Sequence, residues 1–388
     1  IVREVKIIKK ICKDLDYKPN IKEIHFGGGS PSNLSEKNFQ KLIEAIQSLN
    51  KESKLVECAL EIDPRYNINE DKLLFFSDIG INRISFGIQD FDPSIGKTVN
   101  RINSYDQIKN LLTDKVRSKF NGINFDFIYG MPKQTLETWE KTIEKATDLS
   151  PDRLAVYVWG FRPDLYPHMK TLEKYERADL ITQHKMFNYA ANKFLKSGYE
   201  FIGIDHFAKK TDVLYKAKVD NTLDRNAIGY TSGLARDIVA IGPNSMSTIG
   251  DYYFQNHHVM RDYYKKIDQE KLPLVRGYKA NPEDILRREI IFDIILKEKV
   301  EKKKIKKNFE INNFDEYFKY EIQRLIELEK DGLIKLSDTE IEVTNIGRVF
   351  QRHICNVFDQ FHHNIGYKYS RDFKDGKEAF NRKTQLGR

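Results

Sequence analysis

Short runs of alternating apolar and polar residues recur along the chain, with longer amphipathic segments between them. Val2, Val5, Ile8 and Cys12 share one face of a helical wheel, which predicts a helix over residues 2–16. Further predicted helices cover residues 36–49, 69–80, 105–117, 135–149 and 180–196. The predicted strands cover residues 21–26, 56–62, 83–87, 123–128, 153–158, 200–204 and 238–241.

These strands and helices alternate at a spacing of about 30 to 40 residues, which is typical of parallel strand–helix units. Six predicted strands end in groups that can react or form hydrogen bonds: Gly27 to Ser30, Glu61 and Asp63, Gln89 and Asp90, Asp126 and Tyr129, Trp159 and Gly160, and Asp205 and His206. In a barrel such ends meet at one mouth, whereas an open sheet gathers ligands mainly at one switch point. The pattern therefore favours an α/β fold of the partial (β/α) barrel type.

The character of the chain changes after about residue 280, where strand–helix alternation stops. We predict helices over 282–297 and 314–331, a hairpin over 333–336 and 341–344, and a helix over 349–361. Helices followed by a hairpin are compatible with a nucleic-acid-binding winged helix, but a mostly helical cap on the barrel is favoured. The predicted domains are 1–280, 281–371 and a polar tail at 372–388.

The 388-residue chain has a formal net charge of +8, which suits an anionic ligand or nucleic acid. No apolar run approaches membrane-spanning length. Its three cysteines, Cys12, Cys58 and Cys355, show neither a disulfide framework nor metal-ligand spacing, so we expect a reduced, cytoplasmic protein. The first residue is Ile1 rather than Met, and we expect that the true N-terminus has been lost.

The strand ends carry several kinds of binding chemistry. Consecutive glycines after residue 26 form either a plain turn before the next helix or a loop that offers bare backbone N–H groups to a carboxylate or phosphate. Glu61 can bind an amine or hydroxyls, whereas Asp63 before Pro64 is better explained by an Asx-turn. Arg101 suits a carboxylate. Asp126 lies within an apolar strand, where an acid needs a ligand or a partner.

The chain resembles the radical S-adenosylmethionine (SAM) enzymes, and within them the oxygen-independent coproporphyrinogen III oxidase family. The resemblance rests on HFGGGSP at 25–31, EIDPR at 61–65, GIQDF at 87–91, NR at 100–101 and DFIYGMP at 126–132. GIDHFA at 203–208 and RNAIGYT at 225–231 favour the oxidase over its relatives. The resemblance covers the chain from the first helix to about residue 361.

The resemblance implies a set of site residues. The implied SAM contacts are Gly28, Gly29, Ser30, Glu61, Gln89, Arg101, Asp126, Ile128, Gly160 and Met246. The implied substrate region contains Asp205, His206 and Arg225. The family also binds a [4Fe-4S] cluster through Cys-x3-Cys-x2-Cys, a motif that this sequence does not contain. The resemblance therefore implies a partial barrel of the radical SAM type in which the first strand is missing. We therefore expect no metal ligands in this chain, and we expect the chain as given to be inactive. At Ile228 the family tends to have Gln, and Met246 replaces a branched aliphatic residue, so both positions argue against a second SAM site.

The implied reaction is cleavage of SAM to a radical that removes hydrogen from a propionate of coproporphyrinogen III. Loss of CO2 and an electron then leaves a vinyl group, and the cycle repeats on a second propionate. We expect an electron donor as partner, no nucleic acid, no membrane and a monomer. The alternatives are a haem chaperone, a methyltransferase relative that degrades haem, or a nucleic-acid-binding protein.

Overall fold

A computed structural model describes residues 1–49, 52, 54–233 and 236–361 of the protein. They divide into two compact units. The first contains residues 1–220, 241–243 and 258–273, and the second contains the intervening segments and the described residues from 274 onward. The domain boundary at residue 280 stays a prediction, and the tail at 372–388 lies outside the described residues.

The first unit is built on one sheet. Its strands are β1 Glu23–Phe26, β2 Glu57–Ile62, β3 Arg83–Gln89, β4 Gly122–Tyr129, β5 Arg153–Val158, β6 Tyr199–Gly203 and β7 His206–Lys209. Within the described residues their spatial order is β1–β2–β3–β4–β5–β7–β6. Neighbours from β1 to β5 are parallel, so their carboxyl ends lie along one edge. This mostly parallel sheet confirms the predicted α/β class.

The far end of the sheet differs from the predicted run of parallel strands. β7 lies between β5 and β6 and is antiparallel to both of them. Ile204, with a left-handed φ of 49°, and Asp205 form the turn between β6 and β7. So short a turn can join only antiparallel strands, which ends the strand–helix alternation. The predicted strand at 238–241 was wrong, because Ile238 makes only an isolated bridge with Thr248.

The helices of the first unit lie close to their predicted positions in the sequence. They are α1 Val2–Asp14, α2 Glu36–Gln47, α3 Glu70–Asp78, α4 Pro93–Thr98, α5 Tyr105–Leu111, α6 Asp114–Arg117, α7 Leu136–Leu149, α8 Leu180–Lys196, α9 Val213–Val219 and α10 Met260–Asp268. The single helix predicted over 105–117 was wrong, because Thr113 accepts a bond from the Val116 N–H and starts α6 as a separate helix. None of the helices in the described parts is long and apolar enough to span a membrane.

Aromatic side chains form much of the layer between sheet and helices. Phe125 and Phe127 of β4 are fully buried, with ring centroids 6.2 Å apart, and Phe127 packs edge-on against Trp139 of α7 at 6.4 Å. Because side chains alternate across a strand, Asp126 between them faces the opposite side of the sheet. The apolar layer therefore sets the direction of this acid, as the sequence predicts.

The second unit combines small antiparallel sheets with helices. Its strands are β8 Asp224–Arg225, β9 Tyr230–Thr231, β10 Met246–Ile249, β11 Tyr252–Asn256, β12 Leu274–Lys279, β13 Lys299–Glu301, β14 Ile334–Leu336 and β15 Glu340–Val343. Its helices are α11 Pro282–Lys297, α12 Lys302–Asn308, α13 Phe314–Tyr317, α14 Lys319–Lys330 and α15 Gln351–Phe358. The predicted hairpin is present as β14 and β15, and β13 adds a third strand beside β15. The predicted helix at 314–331 is interrupted at Phe318.

Candidate functional site

The strand register places several polar residues on one face of the sheet. Glu61 lies beside Ser85, and Ser85 lies beside Asn124. One step further along the strands, Asp126 lies between Gly87 and Ala155, and Ala155 lies beside His206. Register partners in a sheet project to the same face. The structure therefore brings Glu61, Asp126 and His206 to one face near the carboxyl ends of the strands.

The glycine run after β1 forms an open loop against this face. Gly28 and Gly29 have φ values of 78° and 73°, a conformation that favours glycine. A Cβ added at either position would meet no atom within 4 Å, so backbone conformation rather than crowding requires these glycines. At Gly27, a Cβ would lie 2.7 Å from Glu61 Oε1. Gly27 thus admits the carboxylate, while the space beside Gly28 and Gly29 is open to a ligand.

Glu61 is held as an ionised carboxylate. His25 Nε2 lies 3.0 Å from one carboxylate oxygen, and the Gly28 N–H donates to the other over 3.2 Å. Burial opposes ionisation, but these hydrogen bonds and the nearby charge of Arg101 outweigh it and lower the pKa of Glu61. An anion with an open glycine loop above it can bind a cationic amine.

Asp126 has partners within the sheet and is not an unpaired acid. Ser85 Oγ donates to one oxygen over 2.8 Å, and Asn124 Nδ2 donates to the other over 2.9 Å. Burial nevertheless raises the pKa of Asp126, because it outweighs the stabilising hydrogen bonds. Each carboxylate oxygen keeps a further lone pair for a ligand.

Gln89 and Arg101 lie around the end of β3. Gln89 adopts a left-handed φ of 66°. Arg101 Nη2 donates to the Gly87 carbonyl over 3.0 Å, and a side chain at Gly87 would collide with this guanidinium. The Nε atom of Arg101 is buried without a hydrogen-bond partner in the described residues. Burial lowers the pKa of Arg101, and its unused N–H can bind a ligand oxygen.

Asp63 has the structural role that the sequence predicts. It accepts a bond from the Arg65 backbone N–H over 3.1 Å, which forms the expected Asx-turn. Its carboxylate also pairs with the Arg65 side chain at 2.6 Å and lies 3.7 Å from Arg101 Nη2. These bonds lower the pKa of Asp63 against the opposing effect of burial.

An aspartate–histidine pair, Asp205 and His206, lies at the β6–β7 turn. His206 Nδ1 lies 2.7 Å from Asp205 Oδ1, and His206 Nε2 lies 3.4 Å from the Tyr157 hydroxyl. Asp205 is buried, and it fixes the direction of the imidazole ring. The ring lies level with Asp126 across the small side chain of Ala155.

The remaining predicted site residues occupy different places. Ser30 precedes a short 3-10 helix at Pro31–Asn33, Ile128 lies in β4, and Gly160 follows β5 with open space where a Cβ would stand. Arg225 and Met246 belong to the second unit. The Met246 side chain is exposed. Arg225 stacks over the Tyr230 ring at 4.8 Å, and its buried Nη1 has no hydrogen-bond partner among the described residues.

Sequence reasoning missed the residues that hold the predicted ones in place. Ser85, Asn124 and His25 bond to Asp126 or Glu61, although none was singled out as a site residue. Asn124 stands two positions before Asp126 on the same strand face, so strand alternation could have identified it. The pairing of Ser85 with Asn124 depends on the register between β3 and β4, which no local pattern specifies.

The residues at this face fit SAM but not an iron–sulfur cluster. SAM carries an amine, a carboxylate and hydroxyls, which match ionised Glu61, Arg101 and the open glycine loop. The cysteines lie in three different elements, and burial raises the pKa of both Cys58 and Cys355 to about 12. Cluster ligation requires thiolates, and the described residues contain no group of three or more His, Cys, Asp or Glu arranged to hold a metal.

Comparisons with known proteins agree with this geometry. The Radical SAM superfamily profile matches residues 1–146. The oxygen-independent coproporphyrinogen III oxidase of Synechocystis is 32% identical over 359 residues, covering 92% of this chain and 77% of that protein. The enzyme of the same name from Thermostichus vulcanus is 36% identical, covering 80% of this chain and 95% of that protein. The solved structure of coproporphyrinogen III oxidase from Escherichia coli, described as a radical SAM enzyme, matches with a TM-score of 0.85 and 31% identity, covering 93% of this chain and 82% of that one.

Proposed function

Because the chain belongs to the oxygen-independent coproporphyrinogen III oxidase family, we propose that it serves the oxidative decarboxylation of coproporphyrinogen III to protoporphyrinogen IX. In this reaction two propionate side chains become vinyl groups. The observation that carries the proposal is the single sheet face on which the glycine loop, Glu61 and Asp126 come together. The family uses SAM and a [4Fe-4S] cluster, and the proposal concerns what the residues present do for SAM and for the substrate.

SAM binds in this proposal along the carboxyl ends of β1 to β4. When bound, SAM supplies the group that removes hydrogen from the substrate. Ionised Glu61 and the N–H groups of the glycine loop hold its methionyl end, and Arg101 pairs with its carboxylate. Gln89, Asp126, Ile128 and Gly160 orient the adenosyl end, with Ser30 beside the loop. Met246 stays a predicted contact from the second unit.

Substrate binding is proposed at the Asp205–His206 pair. Asp205 orients His206 so that its Nε2 edge and the Tyr157 hydroxyl can hydrogen-bond a propionate. Arg225, which belongs to the second unit, stays a predicted substrate contact. The net charge of +8 suits a substrate with four carboxylates.

The alternative of a nucleic-acid-binding second unit is not favoured by the placement of its lysines. Lys297 and Lys304 both pair with Asp293, at 2.5 and 3.3 Å. Lys302 is buried and pairs with Asp315 at 2.7 Å. These three of the seven lysines in the basic run at 297–307 therefore pair with carboxylates of the protein rather than being presented to phosphates. The electron donor, the monomeric state and the cytoplasmic location stay predictions.

The proposal is tested by binding to the purified chain. Anaerobic calorimetry should show saturable binding of SAM and, separately, of coproporphyrinogen III. His206→Ala should weaken coproporphyrinogen III binding without changing SAM affinity, because His206 lies apart from the glycine loop along the sheet. A chain that binds neither compound, or that loses SAM affinity on this substitution while substrate affinity is unchanged, would refute the proposed assignment.

A further inference from the structure

Behind the sheet edge, three buried side chains link the ends of β3 and β4. They are Asp90 after β3, Gln134 before α7 and Thr142 within α7, and their exposed fractions are 2%, 3% and 1%. We infer that this set, the Asp90–Gln134–Thr142 bridge, positions Gln89 and Ile128 for SAM. The inference rests on the proposed function and adds residues that act only through their neighbours.

Asp90 is the centre of the bridge. Thr142 Oγ1 donates to Asp90 Oδ1 over 2.5 Å, and the Asp92 N–H donates to the same oxygen over 2.7 Å. Gln134 Nε2 donates to Asp90 Oδ2 over 2.6 Å. Since both oxygens are engaged and the side chain is buried, Asp90 cannot itself contact a ligand on the open face.

Gln134 connects Asp90 to the loop that follows β4. Its Nε2 donates a second bond to the Ile128 carbonyl over 3.1 Å. Its Oε1 accepts from the Gly130 N–H at 2.6 Å and from the Met131 N–H at 3.2 Å. One amide side chain therefore fixes the backbone from Ile128 to Met131 and joins it to the carboxylate after β3.

The bridge acts at a position where the backbone needs support. Gln89 has a φ of 66°, which is uncommon and costly for a residue other than glycine. Asp90 is the next residue, so its anchoring holds the chain in this conformation and directs the Gln89 side chain toward the open face. Such conformations persist at binding sites when the surrounding structure overdetermines them.

Thr142 offers the mildest way to weaken the bridge. Thr142→Val removes the hydroxyl that bonds Asp90 and also accepts from the Phe91 N–H at 3.3 Å, while it keeps the shape of the side chain. Thr142→Ser keeps the hydroxyl. A matched control is Thr147→Val on the same helix, because among the described residues the Thr147 hydroxyl bonds only to the helix carbonyls of Ile143 and Glu144.

The experiment measures SAM affinity, coproporphyrinogen III affinity and the apo melting temperature of the full chain for all three variants. Thr142→Val should weaken SAM binding about three- to tenfold, as expected for one lost buried hydrogen bond to a charged group. The SAM affinities of Thr142→Ser and Thr147→Val should stay within about twofold of that of the unchanged chain, and coproporphyrinogen III affinity should not change in any of the three variants.

A merely structural role predicts a different result. In that case Thr142→Val would lower the melting temperature and leave SAM affinity as it was, which would overturn the inference alone. Equal loss of SAM affinity in Thr142→Val and Thr147→Val would also overturn it. Absence of SAM binding by the unchanged chain would instead refute the proposed function, and the inference with it.

Discussion

Glu61→Gln separates ligand binding from folding at the candidate site. Glutamine keeps an acceptor for the Gly28 N–H but loses the negative charge, which we propose binds the methionyl amine of SAM. Hydrogen bonds to charged groups contribute about 1.5–3 kcal/mol. We therefore expect SAM affinity to fall about ten- to a hundredfold at neutral pH.

The apo protein should respond weakly to the same substitution. The Glu61 side chain is 44% exposed and its His25 partner 28% exposed, so solvent screens their pair, and we expect a loss of less than about 1 kcal/mol. The pKa of Glu61 lies below its usual 4.5 in the folded state, so its carboxylate adds stability above that value. This contribution disappears as the pH falls through the folded-state pKa, so the two proteins should converge in stability in acid.

The assay is calorimetric titration with SAM, together with thermal unfolding of the apo proteins over a range of pH. Glu70→Gln is the matched control, because Glu70 at the start of α3 is a similarly exposed carboxylate that pairs with Lys115 of α6 at 3.1 Å. It should leave SAM affinity unchanged. Unchanged affinity in Glu61→Gln, with a melting temperature well below that of the unchanged chain at neutral pH, would refute the reasoning and make Glu61 a structural residue.

Three further results are expected. Asp126→Asn should weaken SAM binding about tenfold. Because burial raises the pKa of Asp126 above its usual 3.8, stability present below that value is lost as the pH rises, and the Asn variant should become more stable relative to the unchanged chain toward neutral pH. A difference in melting temperature that stays constant with pH would contradict this. Gly28→Ala should cost about 1 kcal/mol of stability at its φ of 78° and weaken SAM binding, and wild-type unfolding with wild-type affinity would contradict this. A thiol reagent should label Cys12 but not the buried Cys58 or Cys355 in the native protein, and labelling of all three would contradict this. Treatment with iron and sulfide should give no [4Fe-4S] absorption band, and the appearance of such a band would contradict the account.

Much of the fold could be predicted because local patterns decide it. The β5 strand at Arg153–Val158 and the α8 helix at Leu180–Lys196 have the predicted bounds, since apolar runs and capping residues mark both ends. The β6–β7 hairpin was missed, because the left-handed residue of its turn is Ile204 rather than the neighbouring Gly203. The break at Thr113 depends on one side-chain cap within an otherwise helical pattern.

The site could be predicted only in part, for a physical reason. Side chains at strand ends are visible in sequence, and the register brings Glu61 and Asp126 to one face. The partners that set their charge, such as Ser85 for Asp126 and His25 for Glu61, come from neighbouring strands. Gln134 lies 44 residues from Asp90, and no sequence pattern joins them.

The structure of this chain with SAM bound tests the central claim most directly. The account predicts that the methionyl amine lies within hydrogen-bond distance of the Glu61 carboxylate, with the adenosyl group along the ends of β3 and β4 near Gln89 and Asp126. SAM bound away from the glycine loop, with the Glu61 carboxylate contacting only His25 and Gly28, would contradict it.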